Sequence, residues 1–159
     1  MATKEEILAA RLAGLAAAPG LAGPRAAARA RLTAMGLPGR RDEYWRWTDP
    51  AALNALTPAA ATAVEEDEAP LFDALDRLKI VFVDGVFDAA ASDDLALAGV
   101  EIARLADKIP GWAEALYGTL EAAGQEPVKR PFAALNTAQA TDGVLIRVTA
   151  AAAKPINLI

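Results

Sequence analysis

The chain has 159 residues, a net charge of −5 and neither Cys nor His. It therefore cannot ligate zinc or an iron–sulfur cluster through thiolate or imidazole, or use Cys nucleophiles or His general bases. The acidic charge, with no basic run beyond Arg40-Arg41, argues against nucleic-acid binding. No long apolar stretch predicts a membrane span, and Lys4-Glu5-Glu6 predicts a helix start rather than a secretory signal, so we expect a cytoplasmic protein.

Two amphipathic helices are predicted in the first part of the chain. The Thr3-x-x-Glu6 pattern is a capping box that begins the first helix, and Pro19-Gly20 ends it. The second helix is predicted from Pro24 to Met35, and we expect its three arginines to be solvated. The apolar faces of the two helices are formed by Ile7, Leu8, Leu12 and Leu15, and by Ala28, Leu32 and Met35.

The stretch that follows, residues 36–50, contains two of the three Trp and one of the two Tyr. Gly36 is predicted to end the second helix with a positive φ, and Pro38 prevents the helix from continuing. We expect a short amphipathic turn over residues 40–47. Asp49 is predicted to cap a further helix that begins at Pro50.

Two interpretations of this stretch stay open. In the first, it is an aromatic cluster that docks the early helices onto the later sheet, with Trp45 or Trp47 largely buried against residues beyond the linker. In the second, it is a recognition surface, because Trp, Tyr and Arg are the usual anchors of interfaces. The candidate docking or interaction residues are Arg40, Arg41, Asp42, Glu43, Tyr44, Trp45, Trp47 and Asp49.

Strands and two more helices are predicted in the second half. The strongest signal is a hairpin in which Asp84-Gly85 joins Lys79–Val83 to Val86–Phe87. Further strands are expected over Val100–Ile102, Val144–Val148 and Pro155–Ile159. One helix face is formed by Trp112, Leu116 and Leu120 before Gly124, and another by Phe132, Leu135, Asn136 and Gln139.

The sequence thus predicts an α+β chain in four successive regions. These are a helical region over residues 1–56, an acidic, alanine-rich linker over 57–70, a mixed α/β region over 71–143, and strands over 144–159. The last strands carry apolar residues with nothing following to cover them. We expect these strands to pair with a second copy of the chain, or alternatively the last one to pack back on the hairpin.

No catalytic motif is recognisable in the sequence. It lacks the glycine-rich phosphate-binding patterns, and no pair of carboxylates, Asp93-Asp94 included, is placed by its spacing across a cleft. We therefore expect the chain not to be an enzyme. An enzyme that uses Asp, Glu, Arg or Tyr alone is the remaining alternative of that class.

Three segments, in chain order, carry a family resemblance. The first has Gly36-Leu37-Pro38, Arg41-Asp42-Glu43, Trp45, Thr48 and Asp49. The second is Val83-Asp84-Gly85-Val86-Phe87. The third joins Phe132, Leu135-Asn136, Ala138, Asp142-Gly143 and Lys154-Pro155-Ile156. Together they resemble the SufB/SufD family of the SUF iron–sulfur cluster assembly system, and the SufD branch in particular.

The resemblance implies a non-catalytic scaffold subunit with SufB and SufC as partners. It also implies that the strands from about Val144 onward begin a right-handed parallel β-helix. The family's cluster-assembly Cys and His and its SufC-docking helices have no counterpart in this sequence, so we expect an N-terminal fragment without a cofactor. A stand-alone interaction module using residues 40–50 is the alternative, and the gene sequence beyond Ile159 would separate the two.

Overall fold

In a computed structural model of the chain, the described residues are 2–14, 20–57, 72–123 and 128–159. Contacts divide the chain into two units, each built from two stretches: Met1–Ala60 with Ile109–Thr141, and Ala61–Lys108 with Asp142–Ile159. These units are discontinuous along the chain, unlike the successive regions predicted from the sequence. The expected linker lies outside the described residues apart from Thr57, as do Leu15, Pro19 and Gly124.

The mixed content of helices and strands confirms the α+β class. The first unit contains helices α1 (Lys4–Gly14), α2 (Ala22–Met35), α3 (Gly111–Leu116), α4 (Thr119–Ala123) and α5 (Pro131–Gln139), and a 3-10 helix (Glu43–Trp45). The second unit contains strands β1 (Leu78–Ile80), β2 (Phe82–Val83), β3 (Val86–Phe87), β4 (Val100–Arg104), β5 (Val144–Val148) and β6 (Ile156–Leu158).

Helix α1 begins as the sequence predicts. The Thr3 hydroxyl accepts a hydrogen bond from the Glu6 backbone N–H at 3.1 Å, and the Glu6 carboxylate accepts one from the Thr3 N–H at 2.7 Å. This reciprocal pair is the capping box, and it satisfies two donors that would otherwise be left at the helix start. Leu8 from the same helix then enters the core of the first unit.

That core lies where α2 packs along α5. Its buried members are Leu8, Leu32, Leu37 and Ala134, with Ile7, Leu12, Met35, Phe132 and Leu135 packed against them. Leu32 is fully buried, as its place on the predicted apolar stripe of α2 requires. Gly36 ends α2 with φ of +70°, also as predicted, and its N–H donates to the Leu32 carbonyl at 2.9 Å.

The expectation that the arginines of α2 are solvated is wrong for Arg25, which is buried. Its guanidinium donates to the Ala138 carbonyl at 3.2 Å and to the Ala140 carbonyl at 2.8 Å. These carbonyls lie at the C-terminal end of α5, where an arginine supplies donors that the helix itself lacks. Arg31 is half-buried and pairs with Glu121, so the expectation is wrong for it as well, whereas Arg29 is exposed as expected.

The single helix expected around residue 116 is instead two short helices, α3 and α4. Gly118 separates them with φ of +75°, and a Cβ there would lie 2.9 Å from Thr137 Cγ2. The predicted apolar face is also wrong, because Leu116 and Leu120 are 63% and 86% exposed. The close approach to α5 at Gly118 sets how these helices pack, and periodicity alone does not reveal it.

A second expected helix is also replaced by a turn. Asp49 does cap the segment, accepting a hydrogen bond from the Ala51 N–H at 3.0 Å. Only a turn follows from Pro50 to Asn54, however, and Leu53 and Leu56 are exposed. Pro50 is buried, but no apolar side chain from Ala51 to Leu56 is, so little packing is available to stabilise a longer helix.

The strands of the second unit form three two-stranded sheets among the described residues. The predicted hairpin is present as β2–β3, with positive φ at Asp84 and Gly85 in the connecting turn. Its first arm is shorter than predicted, because Lys79 and Ile80 belong to β1, which pairs with β6 instead. Strand β4 pairs with β5 in antiparallel orientation, and β6 pairs with β1 in parallel. The buried apolar residues of this unit include Leu78, Ile80 and Leu105.

Candidate functional site

The backbone of residues 36–50 is held by its own short-range hydrogen bonds. The Asp42 carboxylate accepts from the Gly39 N–H at 2.8 Å, directly before the 3-10 helix over Glu43–Trp45. The Pro38 carbonyl accepts from the Lys4 ammonium at 3.1 Å and from the Asn54 side-chain amide at 2.8 Å. Both of these contacts meet at Pro38, so the start of the stretch is tied to α1 and to the turn that follows Pro50.

Most of the candidate residues point their side chains to the surface. Tyr44 is 63% exposed and Trp47 is 89% exposed, whereas Trp45 is half-buried. The remaining candidates are all exposed: Arg40, Arg41, Asp42, Glu43 and Asp49. The structure thus brings the candidates together on one surface segment.

Trp45 is the one aromatic residue of the stretch that is engaged inside the unit. Its ring meets that of Phe132 edge to face, with the ring centroids 5.5 Å apart and the planes at 82°. Phe132 belongs to α5, so Trp45 contacts a residue beyond the linker. Trp45 is only half-buried and Trp47 is exposed, however, so neither tryptophan is largely buried as the docking interpretation expects. The partner is a helix of the same unit and not the sheet, which corrects that part of the prediction. Trp47 takes no part in the docking.

The arginines of the stretch have no acidic partners within the described part of the chain. None of the ion pairs formed there includes Arg40, Arg41 or Arg46. The Arg46 guanidinium instead lies 5.1 Å from the centre of the Trp47 ring, in a cation–π contact on the surface. The stretch is therefore an exposed aromatic surface on which the charges of three arginines are balanced by Asp42, Glu43 and Asp49.

An open cleft of about 220 Å³ lies beside this surface in the first unit. Tyr44 and Trp45 form one side of it, and Lys129, Arg130 and Phe132 lie among its other lining residues. The contribution of residues 129–132 to this cleft was not predicted from the sequence, because Lys129 and Arg130 carry no motif. The only signal available was Pro131 at the start of a predicted helix, which fixes the direction of the chain there.

A second cluster, in the other unit, joins two segments that carry the family resemblance. The Arg104 guanidinium pairs with the Asp142 carboxylate at 2.5 Å and lies 4.5 Å from the centre of the Phe87 ring. Asp142 also accepts hydrogen bonds from the backbone N–H groups of Gly143 at 2.8 Å and Phe87 at 3.4 Å. The hairpin and the start of β5 are therefore tied to β4 through one charged pair.

The electrostatics of this pair follow from its surroundings. The hydrogen bond to Asp142 raises the pKa of Arg104 above its usual value. Burial raises the pKa of the Asp142 carboxyl, but the bonds from Arg104, Gly143 and Phe87 outweigh it, so its net pKa is lowered. Both groups are thus held charged. A permanently charged, paired cluster stabilises structure and offers no group suited to proton transfer near neutral pH.

Within the described ranges, no group of three or more acidic side chains is arranged to hold a metal ion. No helix found there is long and apolar enough to span a lipid bilayer. Comparison with protein-family models and with curated proteins finds no match to this chain.

The two tryptophans of the stretch should differ in their effect on stability. We expect Trp45→Ala to lower the free energy of unfolding by about 2 kcal/mol, less than for a fully buried Trp, because only part of its ring packs on Phe132. Trp47→Ala should change it by less than about 0.5 kcal/mol, because the side chain is exposed. Urea titrations of both variants test this, and equal effects would contradict it.

Proposed function

We propose that these residues form the N-terminal region of a SufD-like scaffold subunit in SUF iron–sulfur cluster assembly. The supporting observation is that the segments resembling the family meet one another in space. Trp45 of the first segment packs on Phe132 of the third. Phe87 of the second contacts the Arg104 that pairs with Asp142 of the third. Such contacts between the segments stabilise the fold, which is a physical reason for the members of a family to share these residues.

In this proposal the region is non-catalytic and cytoplasmic, and it binds no cofactor, nucleic acid or membrane. Its role is to build the entry to a right-handed parallel β-helix that starts at about Val144. The parallel pairing of β6 with β1 is compatible with this, since successive coils of such a solenoid pair in parallel, whereas β5 pairs with β4 in antiparallel orientation and would precede the first coil. Cluster chemistry would belong to other parts of the assembly, in which SufB and SufC are the partners.

The proposal is tested in the source cells. The gene product is tagged at its N-terminus, purified by affinity and examined by mass spectrometry. We expect SufB and SufC to be recovered with it and to be missing from an untagged control strain. Recovery of neither protein, with the tagged chain abundant and intact, would overturn the assignment.

A stand-alone interaction module is the second candidate function. The observation in its favour is the exposure of Trp47 and Tyr44, at 89% and 63%, next to arginines without acidic partners in the described residues. Large aromatic side chains and Arg are the residues most enriched at binding hot spots. A partner that is recovered with the tagged chain and lost on Trp47→Ala, in the absence of SufB and SufC, would favour this candidate.

We also propose that the chain dimerises through the strand region of residues 144–159. Strand β6 is paired with β1 along one edge, and Leu158 and Ile159 are 55% and 53% exposed. Ile159 donates to the Ile80 carbonyl at 2.9 Å, so by alternation the backbone groups of Leu158 point to the opposite edge. Within the described residues that edge pairs with no strand, and open edges recruit other strands.

Light scattering at rising protein concentration should therefore show the mass of two chains. Leu158→Lys places a charge on the open edge and should restore the mass of one chain, because an edge lysine blocks strand addition. Lys108→Glu, an exposed site outside β6, serves as the control. A single-chain mass for the unaltered protein at every concentration would contradict the prediction.

A further inference from the structure

The second edge of strand β1 is covered by a loop, residues 88–93, and not by a strand. β1 uses its first edge to pair with β6, and the backbone groups of Leu78 and Ile80 form hydrogen bonds on that side. Because backbone groups alternate in direction along a strand, those of Lys79 and of Val81, the residue after Ile80, point to the opposite edge. Two N–H groups and two carbonyls are therefore directed at the loop.

Each of these four backbone groups has a partner in the loop. The Lys79 N–H donates to the Asp93 carboxylate at 2.7 Å, and the Lys79 carbonyl accepts from the Asp93 N–H at 2.9 Å. The Val81 N–H donates to the Ser92 hydroxyl at 2.8 Å, and the Val81 carbonyl accepts from the Asp88 N–H at 2.9 Å. A neighbouring strand would accept both N–H groups with backbone carbonyls. Here two side chains accept them, so the loop takes the place of a strand.

The loop is held in its turned shape by hydrogen bonds of its own. The Asp88 carboxylate accepts from the N–H groups of Ala90 at 2.9 Å and Ala91 at 3.1 Å. The Ser92 N–H and hydroxyl both donate to the Asp88 carbonyl, at 3.1 Å and 2.6 Å. Since the Ser92 hydroxyl donates its proton inside the loop, its lone pairs are directed to the edge of β1. The N–H groups of Ala90, Ala91 and Ser92 are thus already bonded and do not form a new edge for pairing.

The state of the second edge of β1 decides how far this sheet can grow. If two chains pair their β6 edges about a two-fold axis, the combined sheet ends in a β1 strand on each side. An open edge there would pair with a further chain, and addition at both ends would continue without limit. An edge whose N–H and carbonyl groups are already bonded offers no groups for that pairing.

We infer that the 88–93 loop blocks strand addition at β1, with Ser92 and Asp93 as the residues that determine this block. Assembly through the β1–β6 sheet then has one open edge, at β6, and its partner there is a second copy of the chain and no third. The limit of two chains rests on the proposed dimerisation. The block at β1 does not, because all the bonds that form it lie within one chain.

The test removes both side-chain acceptors and measures the mass by light scattering at rising protein concentration. The double variant Ser92→Ala with Asp93→Ala leaves the two N–H groups of the edge without partners. We expect it to form species of more than two chains whose mass rises with concentration. Ser92→Thr with Asp93→Asn keeps a hydroxyl and a carbonyl acceptor, so it should keep the mass of the unaltered protein.

Asp94→Ala is the matched control for the loss of charge. It removes a carboxylate from the next residue, which accepts a hydrogen bond from the Ala96 N–H at 3.1 Å and none from β1. Its mass should equal that of the unaltered protein. Growth of Asp94→Ala to the size of the double variant would show that charge, and not the bonded edge, prevents association, and would overturn the inference.

Leu158→Lys separates this inference from the proposed dimerisation. Added to the double variant, it blocks the β6 edge and leaves only the β1 edge open, so growth should stop at two chains. If the unaltered protein has the mass of one chain, the dimerisation proposal fails. Association of the double variant beside such a single-chain protein would still support the block at β1. A folded double variant with the mass of the unaltered protein at every concentration would overturn it.

Hydrogen exchange on the unaltered protein gives a second test, which does not depend on the folding of any variant. The amides of Lys79 and Val81 should exchange at least about a hundredfold more slowly than in an unfolded chain, because their acceptors are held by the loop. Exchange of both amides at the rate of an unfolded chain would show that the loop does not hold this edge, and the inference would be wrong.

Discussion

Arg25→Ala is expected to lower the free energy of unfolding of the helical unit by about 3 kcal/mol. The side chain is buried and donates to the carbonyls of Ala138 and Ala140 at the end of α5. Its removal leaves two carbonyls without donors, each costing about 1–3 kcal/mol if it stays dry, and takes a positive charge from a helix C-terminus. It also removes a cation–π contact with Tyr117, whose ring centre lies 5.7 Å away.

Urea unfolding followed by tryptophan fluorescence measures this effect, because Trp45, Trp47 and Trp112 all lie in the unit that contains Arg25. Arg29→Ala on the same helix is the matched control. Arg29 is exposed, so its replacement should change the free energy of unfolding by less than about 0.5 kcal/mol. If the two variants unfold at the same urea concentration, the role assigned to Arg25 is wrong.

The sequence predicted features whose cause is local. The capping box of Thr3 and Glu6, the positive φ of Gly36 and the Asp84-Gly85 hairpin each depend on residues within a few positions of one another. Their physical causes are side-chain capping and the conformational freedom of glycine, which neighbouring residues determine. Strand β5 was predicted for a similar reason, since four of its five residues, all except Arg147, have branched aliphatic side chains.

Features that depend on distant contacts were predicted poorly. Arg25 has no sequence signal of burial, because its acceptors lie more than a hundred residues away in α5. The break at Gly118 is set by the close approach of Thr137. The parallel pairing of β6 with β1 appeared only as the alternative in which the last strand packs back on its own chain. In each case the local structure is determined by a contact with a residue that is distant in sequence, and this contact outweighs the local secondary-structure propensity.

The candidate site likewise has features that the local sequence predicts and features that depend on distant contacts. Composition alone identified the stretch around Tyr44 and Trp47, because aromatic residues and arginines are concentrated there. It could not predict which aromatic ring would be engaged, because that depends on Phe132 arriving from α5. Lys129 was missed for the same reason. Exposure of Trp47 was the less expected outcome, since large aromatic side chains are usually more buried.

In the other unit, Asp142→Asn is expected to lower the free energy of unfolding by about 3 kcal/mol. The Asp142 side chain is 9% exposed and that of Arg104 is 26% exposed, so the pair is only partly screened by water. Removing the charge of one partner leaves the other in this site without its counter-charge, which is the costly way to break such a pair. The hydrogen bonds to the Gly143 and Phe87 N–H groups are weakened as well. Hydrogen exchange at the Leu105 amide, which bonds to the Gly143 carbonyl at 2.8 Å, measures the loss locally.

The stabilising effect of Asp142 should decrease at low pH. The pKa of Asp142 is lower in the folded protein than in an unfolded chain, where a carboxyl titrates near about 3.9. The stability that the ionised Asp142 contributes is therefore fully present above about pH 4 and is lost as the pH falls through the lower, folded-state pKa. The difference in exchange protection between the unaltered chain and Asp142→Asn should be constant from about pH 5 to 7 and shrink below about pH 4.

Glu101→Gln is the control for this prediction. The ion pair between Glu101 and Arg147 is long at 3.9 Å and about half exposed, so its loss should cost less than about 1 kcal/mol. Equal losses for the two variants would show that the Arg104–Asp142 pair does not hold this unit together.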